Sequence, residues 1–244
     1  MPAIDAATAT AAVMIRRLEA QSDPEFATGQ FHYFQEAVRP MGVRGHIVKQ
    51  AAGEAWRAVR NWPVPERNRF MAELWKDGRL ESGAVACHAY RRFAKQCGAR
   101  EFKLFEQWID RFVGNWAHCD GVASFLVAAC LEKEPELLTR LPPWTGSTNR
   151  WKRRAAAVSL VPAARKGQHT GFILELAQML VHDEDDMVRK GLGWVLKDAW
   201  PKRPNEVSRF LETHARALPR LVLRIAMEKM TPEARSALLA AVRP

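Results

Sequence analysis

Along most of the chain apolar residues recur at three- and four-residue intervals, while the two-residue alternation of a half-buried strand is scarce. Ala, Leu, Glu, Arg and Lys, the residues that cost least in a helix, are abundant in these stretches. Breakers interrupt the pattern at Pro24, Pro40, Gly45, Pro63, Pro65, Gly98, Gly114, Pro135, Pro142, Pro143, Pro162, Gly167, Pro201, Pro204, Pro219 and Pro232. Periodicity and breakers together predict helices over about 8–20, 24–38, 44–60, 65–76, 81–97, 101–113, 116–132, 134–141, 150–165, 169–182, 184–199, 204–217, 219–229 and 231–242, with a loop at 142–149. Some fourteen short helices without strands predict an all-α chain. One helix pair cannot bury its apolar face alone, so the expected architecture is an α-solenoid of stacked pairs, with a compact irregular helical domain as the alternative. The expected unit is a single domain over residues 1–244, because no long flexible linker interrupts the pattern.

Charge narrows the class of partner. Against 27 acidic residues stand 37 Lys and Arg, a formal +10, with a pI near 9.8. An excess of that size points to a polyanion, nucleic acid before an anionic membrane surface. No apolar run approaches the ~18 residues that cross a bilayer, and Met1 to Thr10 lacks a basic segment ahead of an apolar block, so neither a membrane partner nor a secretory signal is expected. Cys87, Cys97, Cys119 and Cys130 show no Cys-x-x-Cys spacing, so no metal is expected and free thiols in a reducing cytoplasm fit. Nine tryptophans beside two tyrosines allow either core packing or stacking surfaces, and only their positions decide.

Three places carry candidate chemistry. In Asn115-Trp116-Ala117-His118-Cys119-Asp120 a helix starting near Asn115 puts Trp116 and Asp120 on one side, one turn apart. A core tryptophan and a first-turn acid have the same spacing. In 184–199, Val188, Leu192, Val195 and Ala199 form the core stripe, which leaves Trp194 between Lys190 and Lys197 on the polar side. At Arg150-Trp151-Lys152-Arg153-Arg154 the cations occupy a first helical turn, where the helix dipole disfavours them. A phosphate bound at that helix start would account for them, as would a solvated basic face. No serine-histidine-aspartate order, phosphate-cradling glycine loop or dinucleotide fingerprint is present.

In this order the three places resemble the AlkD-like DNA glycosylases, a HEAT-like-repeat family that removes alkylated bases from DNA. The resemblance runs from Trp108-Ile109 through Trp116-x-x-x-Asp120 and Pro135-Glu136-Leu137-Leu138 to Trp151-Lys152-Arg153-Arg154-Ala155-Ala156 and Lys190-Gly191-Leu192-Gly193-Trp194-Val195-Leu196-Lys197. It is strongest over about 100–200 and faint before 80, where Tyr33 to Val43 is a weaker version of the family's N-terminal helix and turn. Each motif alone is weak; the ordered set is fairly specific. The resemblance implies a solenoid of about 12–14 helices in HEAT-like pairs, with a concave basic face. It implies Asp120 as the catalytic carboxylate, Trp116 and Trp194 as the aromatics flanking the lesion's sugar, and Arg154 on the DNA backbone. Arg153, Lys152, Lys190 and Lys197 join Arg154 as expected DNA-binding residues, without a decision between Arg153 and Arg154 as the one facing DNA. Lys197 stands where the family often has arginine, and Ala117 replaces an acid often found after the first tryptophan.

The activity so implied is release of cationic alkylpurines such as 3-methyladenine and 7-methylguanine from double-stranded DNA. This is the first step of base excision repair, by a cytoplasmic, nucleoid-associated bacterial monomer needing no cofactor or metal. A purine alkylated at N3 or N7 is already a cationic leaving group, so the enzyme needs no general acid. It must stabilise a sugar turning cationic, which suits an ionised carboxylate between two electron-rich rings. The family is known for acting without flipping the base. The alternative is a non-catalytic helical-repeat protein that binds distorted or branched DNA.

Overall fold

A computed structural model describes residues 5–242. Their helices are α1 (Ala6–Glu19), α2 (Pro24–Gln30), α3 (Gly45–Val59), α4 (Val64–Lys76), α5 (Leu80–Tyr90), α6 (Ala99–Arg111), α7 (Trp116–Gly121), α8 (Ala128–Lys133), α9 (Pro142–Thr145), α10 (Arg150–Val158), α11 (Val161–Lys166), α12 (Thr170–Met179), α13 (Asp186–Ala199), α14 (Pro204–His214), α15 (Arg220–Ala226) and α16 (Pro232–Val242). No strand occurs among the described residues, and the fold is an all-α helical repeat.

Helix starts follow local chemistry. The Asp23 carboxylate accepts the Phe26 N–H (3.0 Å) with Pro24 opening α2, and Asp185 accepts from Met187 and Val188 (2.8 and 3.3 Å) to open α13. The apolar stripes expected from periodicity are buried: Val188, Leu192, Val195 and Ala199 on α13, and Trp151, Ala155 and Val158 on α10.

Elsewhere the structure departs from the expected elements, for tertiary reasons in some places and local ones in others. The helix expected over 24–38 ends at Gln30 and one 3₁₀ turn (Phe31–Tyr33), and 34–44 is irregular. The end of that irregular segment is pinned from α5, where the buried Glu81 carboxylate accepts the backbone N–H groups of Met41, Gly42 and Val43 (2.8, 3.0 and 3.2 Å). The helix expected over 150–165 breaks between Val158 and Val161, because Pro162 has no N–H and its ring opposes the carbonyl four residues back. Within the expected loop 142–149 the four-residue α9 forms, and 116–132 contains a π-helical stretch (Val122–Val127).

Two compact units make up the chain. The first takes the described residues through Cys97 with Arg111–Gly121; the second takes Gly98–Asp110 and the residues from Val122 onward. In the first unit α1 packs on α4 and α3, and α5 packs against α3, α4 and α7. Ala84 and His88 of α5, and Trp116, Ala117 and Asp120 of α7, are half-buried positions of these helices. In the second unit α13 lies between α10 and α15, and α11 packs on α13 and α8.

Candidate functional site

The stretch Asn115–Asp120 is anchored from within. Asn115, buried, caps α7: its Oδ1 accepts the His118 N–H (2.9 Å) and its Nδ2 lies 3.1 Å from His118 Nδ1. His118 Nε2 lies 2.8 Å from the Leu80 carbonyl oxygen. An amide donor on one side and a carbonyl acceptor on the other assign the ring proton to Nε2 and keep the imidazole neutral. Burial pushes its pKa below the ordinary histidine value, against a smaller upward pull from the Leu80 carbonyl. The ring stands edge-on to Trp75 (5.0 Å, 88°). Gly83 of α5 makes room for both: a Cβ there would lie 2.6 Å from His118 Nε2 and 2.7 Å from Trp75 Cζ3.

With His118 and Cys119 turned inward, Trp116 and Asp120 come to the half-exposed side of α7, one turn apart. Trp116 is held in one plane. Its ring stacks on Phe34 (5.3 Å, 20°), and its indole N–H donates to the Tyr33 carbonyl (3.0 Å). The irregular segment that Glu81 pins through residues 41–43 therefore begins where it locks this tryptophan. Neither His118 nor the 31–34 contact is among the residues picked out from sequence. The amide cap of Asn115, three residues before His118, is the local signal that points to the first. The second depends on residues 83 apart in the chain.

The second unit holds the remaining candidates. Arg154 is buried (5% exposed); it lies across α13 at Gly191, its Cγ 3.2 Å from where a Gly191 Cβ would sit, and its Nη1 donates to the Met187 carbonyl. A glycine inside a helix costs about 1 kcal/mol relative to alanine, and here its lack of a side chain admits the arginine. Trp194, half-buried one turn beyond Lys190, donates its indole N–H to Asp198 (3.0 Å), and the Arg165 guanidinium lies 5.9 Å from its ring centroid. Asp198 is buried, and it also accepts from Arg165 (2.7 Å) and Lys229. Burial alone would raise the Asp198 pKa. The hydrogen bonds from Lys229 and Arg165, with their charges, outweigh it and hold the carboxyl below its ordinary value.

The first-turn cations of α10 find carboxylates within the chain. Lys152 pairs with Glu106 (3.0 Å) and Asp110 (2.9 Å); burial pulls its pKa down, but these carboxylates outweigh burial and raise it. Arg153 grips Asp183 (2.6 Å) and donates to the Ser147 and Thr148 carbonyls. Arg150 pairs with Asp185 (3.2 Å). These ion pairs are a reason for the cations that needs no bound phosphate. Lys197 pairs with Glu228 (2.9 Å), whereas the Lys190 side chain makes no hydrogen bond or ion pair with the described residues. The structure thus gathers Trp116 with Asp120 in the first unit, and Arg154, Lys190 and Trp194 around Gly191 in the second. The four cysteines are buried free thiols, and no cluster of three or more potential metal ligands occurs among the described residues. No helix of the described residues is long and apolar enough to cross a membrane.

A sequence model of one family, described as DNA alkylation repair enzyme, matches residues 14–230. Among solved structures, a predicted DNA alkylation repair enzyme from Enterococcus faecalis superposes with a TM-score of 0.74 at 16% identity, covering 87% of this chain and 98% of that one. The smu.31 protein from Streptococcus mutans UA159 superposes at 0.56 with 14% identity, covering 81% of this chain and 92% of its own. At these identities the likeness is one of fold. No curated protein matches.

Proposed function

The chain belongs to the DNA alkylation repair enzyme family, and from that premise we propose that it is a DNA N-glycosylase releasing cationic alkylpurines, such as 3-methyladenine and 7-methylguanine, from duplex DNA. The observation that carries the reading is the pairing of a half-exposed carboxylate, Asp120, with an indole one turn away whose plane Phe34 and the Tyr33 carbonyl hold still.

The alkylated base departs as a neutral purine, so its glycosidic bond breaks without a proton donor. Positive charge then grows on the deoxyribose. Asp120, ionised, opposes that charge and orients or deprotonates the attacking water. Trp116 presents a ring face to the sugar, adding about 0.5–2 kcal/mol of cation–π attraction as the charge develops, and the family resemblance gives Trp194 the same role. Because both indole N–H groups are bound to fixed oxygens, the rings do not have to be ordered at the moment of reaction. By the family resemblance Arg154 and Lys190 meet the DNA backbone and Lys197, paired with Glu228, adds charge on the same helix as Lys190, while Lys152 and Arg153 hold the start of α10 against Asp110 and Asp183. The enzyme works as a cytoplasmic monomer and leaves the lesion in the duplex.

The test is release of 7-methylguanine from methylated duplex DNA by wild type and Asp120→Asn. The variant loses nearly all release while its affinity for the duplex stays within about threefold, because the amide keeps the shape and removes the charge. A variant that releases base at the wild-type rate removes Asp120 from the chemistry. A wild type that binds duplex DNA and releases no base selects the non-catalytic DNA-binding reading instead.

A further inference from the structure

The first unit carries a second concentration of charge that the motifs above do not include. One stripe of α3 presents Lys49, Gly53, Trp56 and Arg57, continued by Arg60 at its C-terminal cap, and the end of α5 with the 3₁₀ turn that follows brings His88, Arg91 and Arg92 beside it. An open cavity of about 400 Å³ is lined by Lys49, Ala52, His88, Arg91 and Arg92, without a carboxylate. Glu54, the only acid on α3, points the other way, to Arg17 of α1 (3.4 Å) and Gln50 (3.3 Å).

The cluster is built rather than scattered. Trp56 lies between two guanidiniums, with Arg60 at 5.3 Å and Arg92 at 5.5 Å from its ring centroid. Gly53 leaves the space in which they gather: Arg92 Nη2 lies 3.3 Å and Arg57 Nη1 3.7 Å from where a Gly53 Cβ would sit. Arg91 and Arg92 suit the negative end of the α5 dipole. Lys49, near the positive end of α3, does not, and that helix has no acid in its first turn. Burial and the charges of Arg91 and Lys49 lower the His88 pKa, as expected where cations crowd one another.

We propose that this cluster is a DNA-backbone anchor, in which Lys49, Arg91 and Arg92 contact consecutive phosphates of one strand and Trp56 fixes the guanidiniums that face it. A string of phosphates fits better than a free phosphate or a nucleotide. The cations run along two helices beside an open cavity, whose lining adds to its three cations only Ala52 and the His88 ring, with no hydroxyl and no carboxamide to read a base. The proposal rests on the reading of duplex DNA as substrate and extends it to the part of the chain where the family motifs are faint.

The experiment follows binding of an undamaged fluorescent duplex across a salt series, for wild type, for Lys49→Ala/Arg91→Ala/Arg92→Ala, and for Lys76→Ala as a control cation paired with Glu73. Each phosphate contact adds about 0.9 to the slope of log affinity against log salt, so the triple variant loses about 2–3 from the slope and about tenfold or more in affinity at moderate salt, and the control loses neither. An unchanged slope in the triple variant, or an equal loss in the control, overturns the anchor. A second measurement follows the His88 ring resonances, which shift with duplex DNA; a shift with inorganic phosphate and none with duplex overturns the backbone assignment in favour of a free phosphate. The salt slope does not depend on base release, so the anchor stands or falls separately from the glycosylase chemistry.

Discussion

Replacing Gly83 with alanine tests how α7 is held. The added Cβ would lie 2.6 Å from His118 Nε2, 2.7 Å from its Cε1 and 2.7 Å from Trp75 Cζ3, where unstrained contacts run at about 3.5–4.0 Å. Neither ring can retreat cheaply. His118 is bonded at both nitrogens, and Trp75 is buried and stacked on Phe112 at 6.1 Å with 7° between the planes. Overpacking of this kind costs up to about 3 kcal/mol, and alanine returns about 1 kcal/mol of helix propensity. The net is about 2 kcal/mol of destabilisation, or a Tm lower by about 4–8 °C for a domain of this size. Strain should fall on the His118 bond to Leu80 and hence on α7, so 7-methylguanine release should fall by more than the unfolded fraction explains. Calorimetry and a single-turnover release assay measure the two effects. His118→Ala in the Gly83→Ala background removes the obstacle, so the double variant should be less destabilised than the sum of the single ones by about 1–2 kcal/mol. A Gly83→Ala protein as stable as wild type, or strict additivity in the cycle, refutes the steric account.

Two further outcomes follow. Because the His118 pKa is depressed in the folded protein, the unfolded chain takes up the proton first. The stability this histidine contributes is complete above the unfolded value of ~6.5 and is lost as pH falls from there through the folded pKa; urea midpoints between about pH 7.5 and 5 should decline in wild type and decline less in His118→Gln. The ion pairs also separate scaffold cations from DNA-facing ones. Arg153→Ala leaves Asp183, whose side chain is 7% exposed, with the Asp185 N–H but without its cation and should cost about 1–3 kcal/mol in chemical denaturation, whereas Lys190→Ala should stay within about 0.5 kcal/mol and weaken duplex binding instead; equal effects on stability would remove the distinction.

What the sequence made legible is what local chemistry decides. The α13 and α10 stripes are buried as their periodicity requires, and the prolines and the Asp185 cap mark real helix boundaries. The misplaced elements have both local and tertiary reasons. Pro162 splits the helix expected over 150–165, while after residues 34–38, whose pattern is helix-compatible, the chain is pinned at 41–43 by Glu81, about forty positions away. The same limit applies to charge. Lys152 and Arg153 invite a phosphate when read alone, because Asp110 and Asp183 stand 42 and 30 residues away. The pairing of Trp116 with Asp120 was legible from helical spacing, but the locking of its ring by Tyr33 and Phe34 was not, since a contact across 83 residues leaves no periodic trace.

The chain contains the same spacing twice, Trp116-x-x-x-Asp120 and Trp194-x-x-x-Asp198, and the two copies are put to different uses. In α13 the carboxylate accepts the indole N–H of its own tryptophan and is neutralised by Arg165 and Lys229; it is 2% exposed. A carboxylate so enclosed cannot lend net negative charge to a substrate, and its work is to hold a ring. In α7 the indole N–H goes to the Tyr33 carbonyl, so Asp120 is not needed to orient Trp116, and its side of the helix is half-exposed. The difference comes from what each indole finds within reach: an irregular segment pinned by Glu81 in one case, and a carboxylate one turn away in the other. The proposed assignment of catalysis to Asp120 and of ring support to Asp198 therefore draws on the acceptor of each tryptophan as much as on either acid.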